Sequence, residues 1–198
     1  MIEIVENLTE PYQKLYRLYQ EAVKKNQPEI QAVCISSYNT DKNEVDSRFV
    51  NLKYINDEEW IFFTNYKSPK AQAFKQNSQI SCAIYWEKIN AQIRLKAKIF
   101  KTSEEFSNMH FEKRTFEKNT LSIISEQSCK ISNYENIIDK YNKALKTSPV
   151  DQKRPNYWGG YSMKPYQIEF WQGHKNRINK RELFEYNDDK WHKYFLAP

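Results

Sequence analysis

The 198-residue sequence predicts a mainly β protein with helices (α+β), built as a closed antiparallel barrel with helical excursions. Three observations carry that expectation. Between Gln31 and Phe100, apolar and β-branched residues come in short bursts separated by Asn and Asp, as in a strand meander. Between Ser103 and Lys146 the spacing turns helical, and after Tyr166 the chain returns to strand-like bursts. No repeat, low-complexity tract or Gly/Ser linker divides it, so one domain over residues 1–198 is expected, with residues 1–30 as an N-terminal helical segment.

Thr9 can cap a helix whose first turn holds Pro11, and Tyr12, Leu15, Tyr16, Tyr19, Ala22 and Val23 recur at three- and four-residue steps. That amphipathic stripe is suited to covering one end of a core. Strands are expected at 31–37, 48–55 and 60–65, and Ser68 followed by Pro69 opens a short helix carrying Ala71, Ala73 and Phe74. Two more strands follow at 80–86 and 91–100. In the second, Ile93, Leu95, Ala97 and Ile99 alternate with Arg94, Lys96 and Lys98, a buried face backed by a basic solvated one. Three helices are expected between 103 and 146, the last opened by a capping box of Ser132 and Glu135. Strands at 166–172, 177–186 and 190–196 close the chain, with Asn187, Asp188 and Asp189 as the last turn.

Composition removes several function classes. The only glycines are Gly159, Gly160 and Gly173, so neither a Rossmann phosphate loop nor a P-loop can be written in this chain. Cys34, Cys82 and Cys129 are far apart and odd in number, which argues for small buried hydrophobes in a reducing compartment rather than disulfides. His110, His174 and His192 lack zinc-site spacing, and no metal is expected. The first residues carry Glu3, Glu6 and Glu10 where a secretion signal needs basic residues and an apolar run, and no stretch reaches the ~20 apolar residues of a membrane span. A cytoplasmic protein is expected. The net charge of +6 is spread among acids, which suits a solvated surface or a small anionic ligand better than a nucleic acid.

The C-terminal residues are more specific. W-G-G-Y at Trp158 to Tyr161 is followed by I-E-F-W-Q-G at Ile168 to Gly173, by Arg177 and Arg181, and by a final Leu196, Ala197, Pro198. Upstream stand R-F-V-N-L-K at Arg48 to Lys53, F-F-T-N-Y-K-S-P-K at Phe62 to Lys70, then Tyr85 and Trp86, Gln92, Arg114, and S-E-Q-S at Ser125 to Ser128. In this order, over residues 30 to 198, the blocks resemble the pyridoxamine 5'-phosphate oxidase family.

The resemblance implies an FMN-binding split barrel that acts as a homodimer. Such proteins oxidise pyridoxamine or pyridoxine 5'-phosphate, small phosphorylated B6 vitamers, to pyridoxal 5'-phosphate, with O2 reoxidising the flavin. By resemblance, Arg48, Phe49, Val50, Lys53, Phe63, Thr64, Lys70 and Gln92 contact FMN. Gln127, Ser128, Trp171 and Arg181 match residues that reach FMN from the other subunit. Lys53, His110, Arg114 and Lys118 fall at substrate-phosphate positions, and Arg177 and Asn179 at the catalytic pair facing the pyridine ring. A planar guanidinium suits that stack. Arg177 and Asn179 are expected on one strand, two residues apart and facing the same way.

Four departures accompany the resemblance. Pro69 stands where the family usually has an arginine on the FMN phosphate, with Lys67 as a substitute from the same loop. His110 replaces a tyrosine and Lys118 a serine, and both can still donate to an anion. Asn179 replaces a histidine and cannot exchange a proton near neutral pH. Residues 119–122 lack the usual Q-I-G-A. The alternatives are a flavin-reductase or phenazine-pathway relative with another substrate, favoured by Asn179, or a non-catalytic protein that binds FMN or pyridoxal phosphate.

Overall fold

The computed structural model describes residues 1–5, 9–56 and 58–198, so Glu6 lies outside the described residues. In chain order the elements are β1 (Glu3–Ile4), α1 (Glu10–Lys24), β2 (Ala32–Asn39), β3 (Glu44–Ile55), β4 (Trp60–Asn65), α2 (Pro69–Gln76), β5 (Gln79–Trp86), a 3-10 turn (Glu87–Ile89), β6 (Ala91–Lys101), α3 (Glu104–Glu112), α4 (Phe116–Ile124), α5 (Tyr134–Thr147), β7 (Trp158–Gln172), β8 (Lys180–Asn187) and β9 (Lys190–Leu196). Strands β3, β2, β5, β6, β7 and β4 form a closed antiparallel ring, each hydrogen-bonded on both sides.

Strand β7 lets the ring close and also extend. Its residues 158–163 pair with β4, its residues 167–172 pair with β8, and β6 runs beside both halves. The register slips opposite Pro165, between Lys96 and Ala97. Proline has no N–H for the ladder, so the irregularity falls where its loss costs least. The expected strand began at Tyr166; the eight residues before it contain two glycines and a proline, which conceal a strand. In contrast, the β8–β9 hairpin follows the expectation, with Asp188 and Asp189 both at positive φ (51° and 57°) and Asn187 paired with Lys190.

The barrel interior is lined by Val33, Ile35, Leu52, Trp60, Phe62, Ile93, Leu95, Met163, Ile168 and Phe170, all buried. Helix α1 covers one side with Tyr12, Leu15, Leu18, Tyr19 and Ala22, its Tyr19 ring 6.0 Å from that of Trp86. Val23, expected in that stripe, lies at its exposed edge. Helix α5 is capped by Asn133, whose Oδ1 accepts from the Glu135 N–H at 2.9 Å, rather than by Ser132. Ser132 Oγ instead accepts from Asn136 Nδ2 at 3.2 Å. The cysteines divide: Cys82 is buried, Cys34 half-buried and Cys129 exposed in the turn after α4, so only Cys82 fits the expectation of a fully buried hydrophobe. Among the described residues no helix is long and apolar enough to cross a membrane.

Candidate functional site

On the barrel wall, β3, β4, the start of α2 and the α3–α4 region enclose a groove of about 620 Å³. Lining it are Arg48, Phe49, Val50 and Lys53 from β3, Phe63 and Thr64 from β4, Lys70 from α2, and His110, Arg114, Lys118, Gln127 and Ser128 from the helical block. Gln31, Asn51, Lys113, Thr115 and Trp158 complete the lining.

Local structure explains the convergence. Leu52 pairs with Phe62 and Tyr54 with Ile61, so Lys53 is an extra residue on β3, a β-bulge. Strict alternation therefore breaks, and Lys53 and Tyr54 are both half-buried. Lys53 Nζ donates to Gln31 Oε1 at 2.8 Å, and burial, reinforced by Lys118 and Arg114, pushes its ammonium below the usual lysine range. Lys70 sits in the first turn of α2, only 6% exposed, with its amine 3.3 Å from Ser68 Oγ. Burial, then the charge of Arg48, lowers its pKa to about 8. Arg48 is tied to Ser37 Oγ at 2.7 Å and to Asp46 at 2.8 Å. Among the described residues, that is the single ion pair made by a cation of this groove.

The glycines of W-G-G-Y have a steric role. A Cβ on Gly159 would lie 2.2 Å from the Tyr66 hydroxyl, and one on Gly160 2.5 Å from Thr102 Oγ1. Their absence lets the start of α3 close onto β7, where the Gly160 N–H donates to Ser107 Oγ at 3.1 Å. Helix α3 is thereby set so that the His110 ring lies flat on Phe63, with centroids 3.7 Å apart. The Tyr54 hydroxyl is 2.9 Å from His110 Nδ1. Burial, then the cations Arg114, Lys53 and Lys113, push the imidazole down to about 4, so it is neutral at pH 7. The Arg114 guanidinium lies 4.4 Å from the Trp158 ring centroid and donates to Ser122 Oγ and the Lys118 carbonyl, each at 3.0 Å.

The remaining sequence-predicted residues lie elsewhere. Gln92, Trp171 and Arg181 are direct cross-strand neighbours on β6, β7 and β8. Arg181 is held by Glu169, its Nε and Nη2 each 2.8 Å from Oε1, while Arg94 reaches Oε2 at 3.2 Å. Arg94, expected as a plain solvated charge, is thus an ion-pair partner of a nearly buried carboxylate. Gln127 and Ser128, grouped with Trp171 and Arg181 in the sequence, line the groove of their own chain, where Gln127 Oε1 accepts from Thr64 Oγ1 at 3.1 Å and from the Asn65 N–H at 3.2 Å.

Arg177 and Asn179 correct the strand expectation. Both precede β8 and lie in the 173–179 loop, with Arg177 at φ 59°. Asn179 Oδ1 accepts from the His174 N–H at 3.0 Å, and the Arg177 N–H donates to the His174 carbonyl at 2.9 Å. The loop's own hydrogen bonds outcompete strand pairing here. Lys67 is also displaced: its ammonium lies 4.9 Å from the Tyr157 ring centroid and lines a different cavity, so it does not supply the charge missing at Pro69. Pro69 itself starts α2, where a proline's missing N–H costs nothing.

Comparison with known proteins decides the family. A pyridoxine/pyridoxamine 5'-phosphate oxidase of Leptospira interrogans (serovar copenhageni) is 31% identical over 201 residues, covering 100% of this chain and 92% of the relative. The chain belongs to the pyridoxine/pyridoxamine 5'-phosphate oxidase family. Its member from Haemophilus influenzae (strain 86-028NP) is 34% identical over 153 residues, 77% of this chain and 73% of the relative. Residues 158–198 match the "Pyridoxine 5'-phosphate oxidase C-terminal dimerisation region". The fold is shared with PhzG from Burkholderia lata 383, solved in complex with tetrahydrophenazine-1-carboxylic acid, at TM-score 0.89 and 24% identity over 96% of this chain and 93% of that one. It is shared as well with a pyridoxamine 5'-phosphate oxidase-related, FMN-binding protein of Nostoc punctiforme, at TM-score 0.78 and 12% identity over 96% and 98% of the two chains. These likenesses place the protein among the oxidoreductases of this split-barrel family.

Tyr54, Gln31, Lys113 and Trp158 line or shape the groove without having been singled out for it in the sequence. Trp158 carried a signal through its motif. Tyr54 carried none, because strand alternation assigns it to the face opposite Lys53.

Proposed function

We propose that the protein oxidises pyridoxamine or pyridoxine 5'-phosphate to pyridoxal 5'-phosphate, with FMN as cofactor and O2 as acceptor, and that it works as a homodimer of one-domain subunits. The observation that carries this reading is the groove's charge: Lys53, Lys70, Arg114 and Lys118 line one half-buried cavity without a carboxylate partner among the described residues. Such a set fits phosphate-bearing ligands, because only an anion offsets the mutual repulsion and lost hydration of those cations.

Arg48 and Lys70 would hold the FMN phosphate, with Phe63, Thr64, Gln127 and Ser128 beside the same ligand. Lys53, His110, Arg114 and Lys118 would hold the phosphate of the substrate. FMN, when bound, takes up the hydride lost by the substrate carbon and passes the electrons to oxygen. The chain's own residues bind, orient and neutralise. The dimer supplies what one chain lacks. Trp171, Arg177, Asn179 and Arg181 do not line their own groove and fall within the matched dimerisation region, which supports their reaching the groove of the other subunit. Arg177 then orients the pyridine ring, while Asn179 shapes the loop that carries it.

Anaerobic addition of pyridoxamine 5'-phosphate to FMN-loaded protein tests the reading: the flavin should bleach in one turnover, and admitted air should restore it with release of peroxide. Flavin that stays oxidised with this substrate but bleaches with another reductant transfers the assignment to a relative of different specificity. Light scattering should give twice the 23.9 kDa chain mass.

A further inference from the structure

Tyr54 stands outside every set of residues assigned to the groove, yet it is the hydrogen-bonding partner of the one imidazole inside it. Its ring packs edge-on against three neighbours, Phe63 at 6.2 Å, Phe106 at 5.2 Å and His110 at 5.4 Å, which fixes the place of its hydroxyl oxygen. Resting on the reading of the groove as a phosphate site, we propose that Tyr54 is a positioning residue that locks His110 into the tautomer with its proton on Nε2, making the imidazole a neutral hydrogen-bond donor to the substrate phosphate.

A neutral imidazole has one N–H and one bare nitrogen, and which is which follows from the partner of each. Among the described residues the Tyr54 hydroxyl has no acceptor other than His110 Nδ1, and the proposed arrangement puts its proton there. Nδ1 is then the bare nitrogen and Nε2 carries the hydrogen. Nε2 has no protein partner among the described residues and belongs to a ring that lines the groove beside Lys53, Arg114 and Lys118. A bare nitrogen facing phosphate oxygens would repel them; an N–H donates to them. Burial and the charged groups acting on the ring, Arg114 and Lys113 after α3 and Lys53 on β3, all oppose a positive charge on it, and Lys118 of α4 lines the same groove. Burial, then the charge of Glu3, pushes the Tyr54 phenol above its usual range and so keeps its proton in place. Stacking on Phe63 opposes the 180° ring flip that would put Cδ2 instead of Nδ1 beside the Tyr54 hydroxyl.

The test uses FMN-loaded protein carrying 15N-histidine, with pyridoxal 5'-phosphate as probe. With only three histidines, the His110 signals are assigned by their loss in His110→Tyr. At pH 7, free and with probe, long-range 1H–15N spectra should show Nδ1 bare and Nε2 protonated; an imidazolium or an Nδ1–H tautomer overturns the proposal. Tyr54→Phe should mix the tautomers and weaken pyridoxal 5'-phosphate by about three- to tenfold, as expected for one oriented hydrogen bond, while FMN affinity stays the same. In a His110→Tyr background, whose phenol brings its own proton, Tyr54→Phe should have no effect on probe binding. Equal weakening in both backgrounds means that Tyr54 acts only through packing and overturns the proposal. Failure of the function reading looks different: no turnover of pyridoxamine 5'-phosphate, with the tautomer and the coupled probe affinities intact, leaves Tyr54 and His110 as the positioning pair of a phosphate site for another substrate.

Discussion

On the C-terminal arm, formed by the second half of β7 with β8 and β9, the carboxylate of Glu182, 3% exposed, meets Lys14 of α1 at 2.7 Å, Lys180 at 2.5 Å and Lys193 at 3.8 Å, and Glu169 is held by Arg94 and Arg181. In the groove, Lys53, Lys70, Arg114 and Lys118 have no such partners among the described residues. Both regions are half-buried and both concentrate charge, but the arm closes its electrostatics within the chain and the groove leaves them open. Burial raises the Glu182 carboxyl, yet hydrogen bonds from Lys14 and Lys180 outweigh it and hold the group below its usual range. At Lys70 burial meets no opposing anion and the ammonium is lowered to about 8. The difference separates charge that stabilises a fold from charge held ready for a ligand.

The strongest way to break this contrast is to ask whether the arm also serves the groove of the second subunit. Arg177→Ala should slow anaerobic flavin reduction by pyridoxamine 5'-phosphate about a hundredfold, the scale of losing an orienting group, with the chain's melting temperature unchanged. An unaltered rate would confine the arm to dimerisation. Next in size, Lys70→Met should weaken FMN by about ten- to a hundredfold and leave riboflavin nearly unaffected, measured by quenching of flavin fluorescence. The same substitution should make the ligand-free protein more stable, because it removes an uncompensated buried cation.

Glu182→Gln should do the reverse, costing about 1–2 kcal/mol in urea melts, since it strips the partner from Lys14 and Lys180, while FMN affinity holds. Its sign with pH is fixed by linkage. A carboxyl whose folded pKa is depressed contributes stability that is present above its unfolded value near 4.5 and lost as pH falls through the lower folded value, so the variant's acid melt should be flatter. The smallest effect is the pH dependence of cofactor binding. The phosphate favours protonated Lys70, which the free protein loses above about pH 8, so FMN affinity should drop by about several-fold from pH 8 to pH 9 and stay level in Lys70→Arg.

How much of this was legible in the sequence varies by element. The alternation of Ile93, Leu95, Ala97 and Ile99 with charged residues is a local consequence of period-two geometry, and β6 follows it from Ala91 to Phe100. The Asp188–Asp189 turn and Pro69 at the start of α2 are local too. Arg48, Lys70 and Arg114, from separate motifs, line one groove, whereas Gln127, matched to a residue that reaches across from the other subunit, lines the groove of its own chain. What failed were positions where a distant partner sets the conformation. Trp158 to Pro165 joins a strand only because β4 and β6 flank it, and Arg177 and Asn179 leave β8 because the loop's bonds to His174 are better than a continued ladder.

By itself, then, the sequence determined the barrel class, its helical insertions, the family and the residue types able to bind phosphate, since each follows from short-range periodicity or from motif identity. Only the tertiary structure decided that Lys53 stands on a bulge with Tyr54 turned toward His110, that Glu169 and Glu182 neutralise the arm, and that the groove's cations remain unbalanced. Charge balance is a property of distances between residues far apart in the chain, and those distances are set when β7 closes the ring and α3 docks on its glycines.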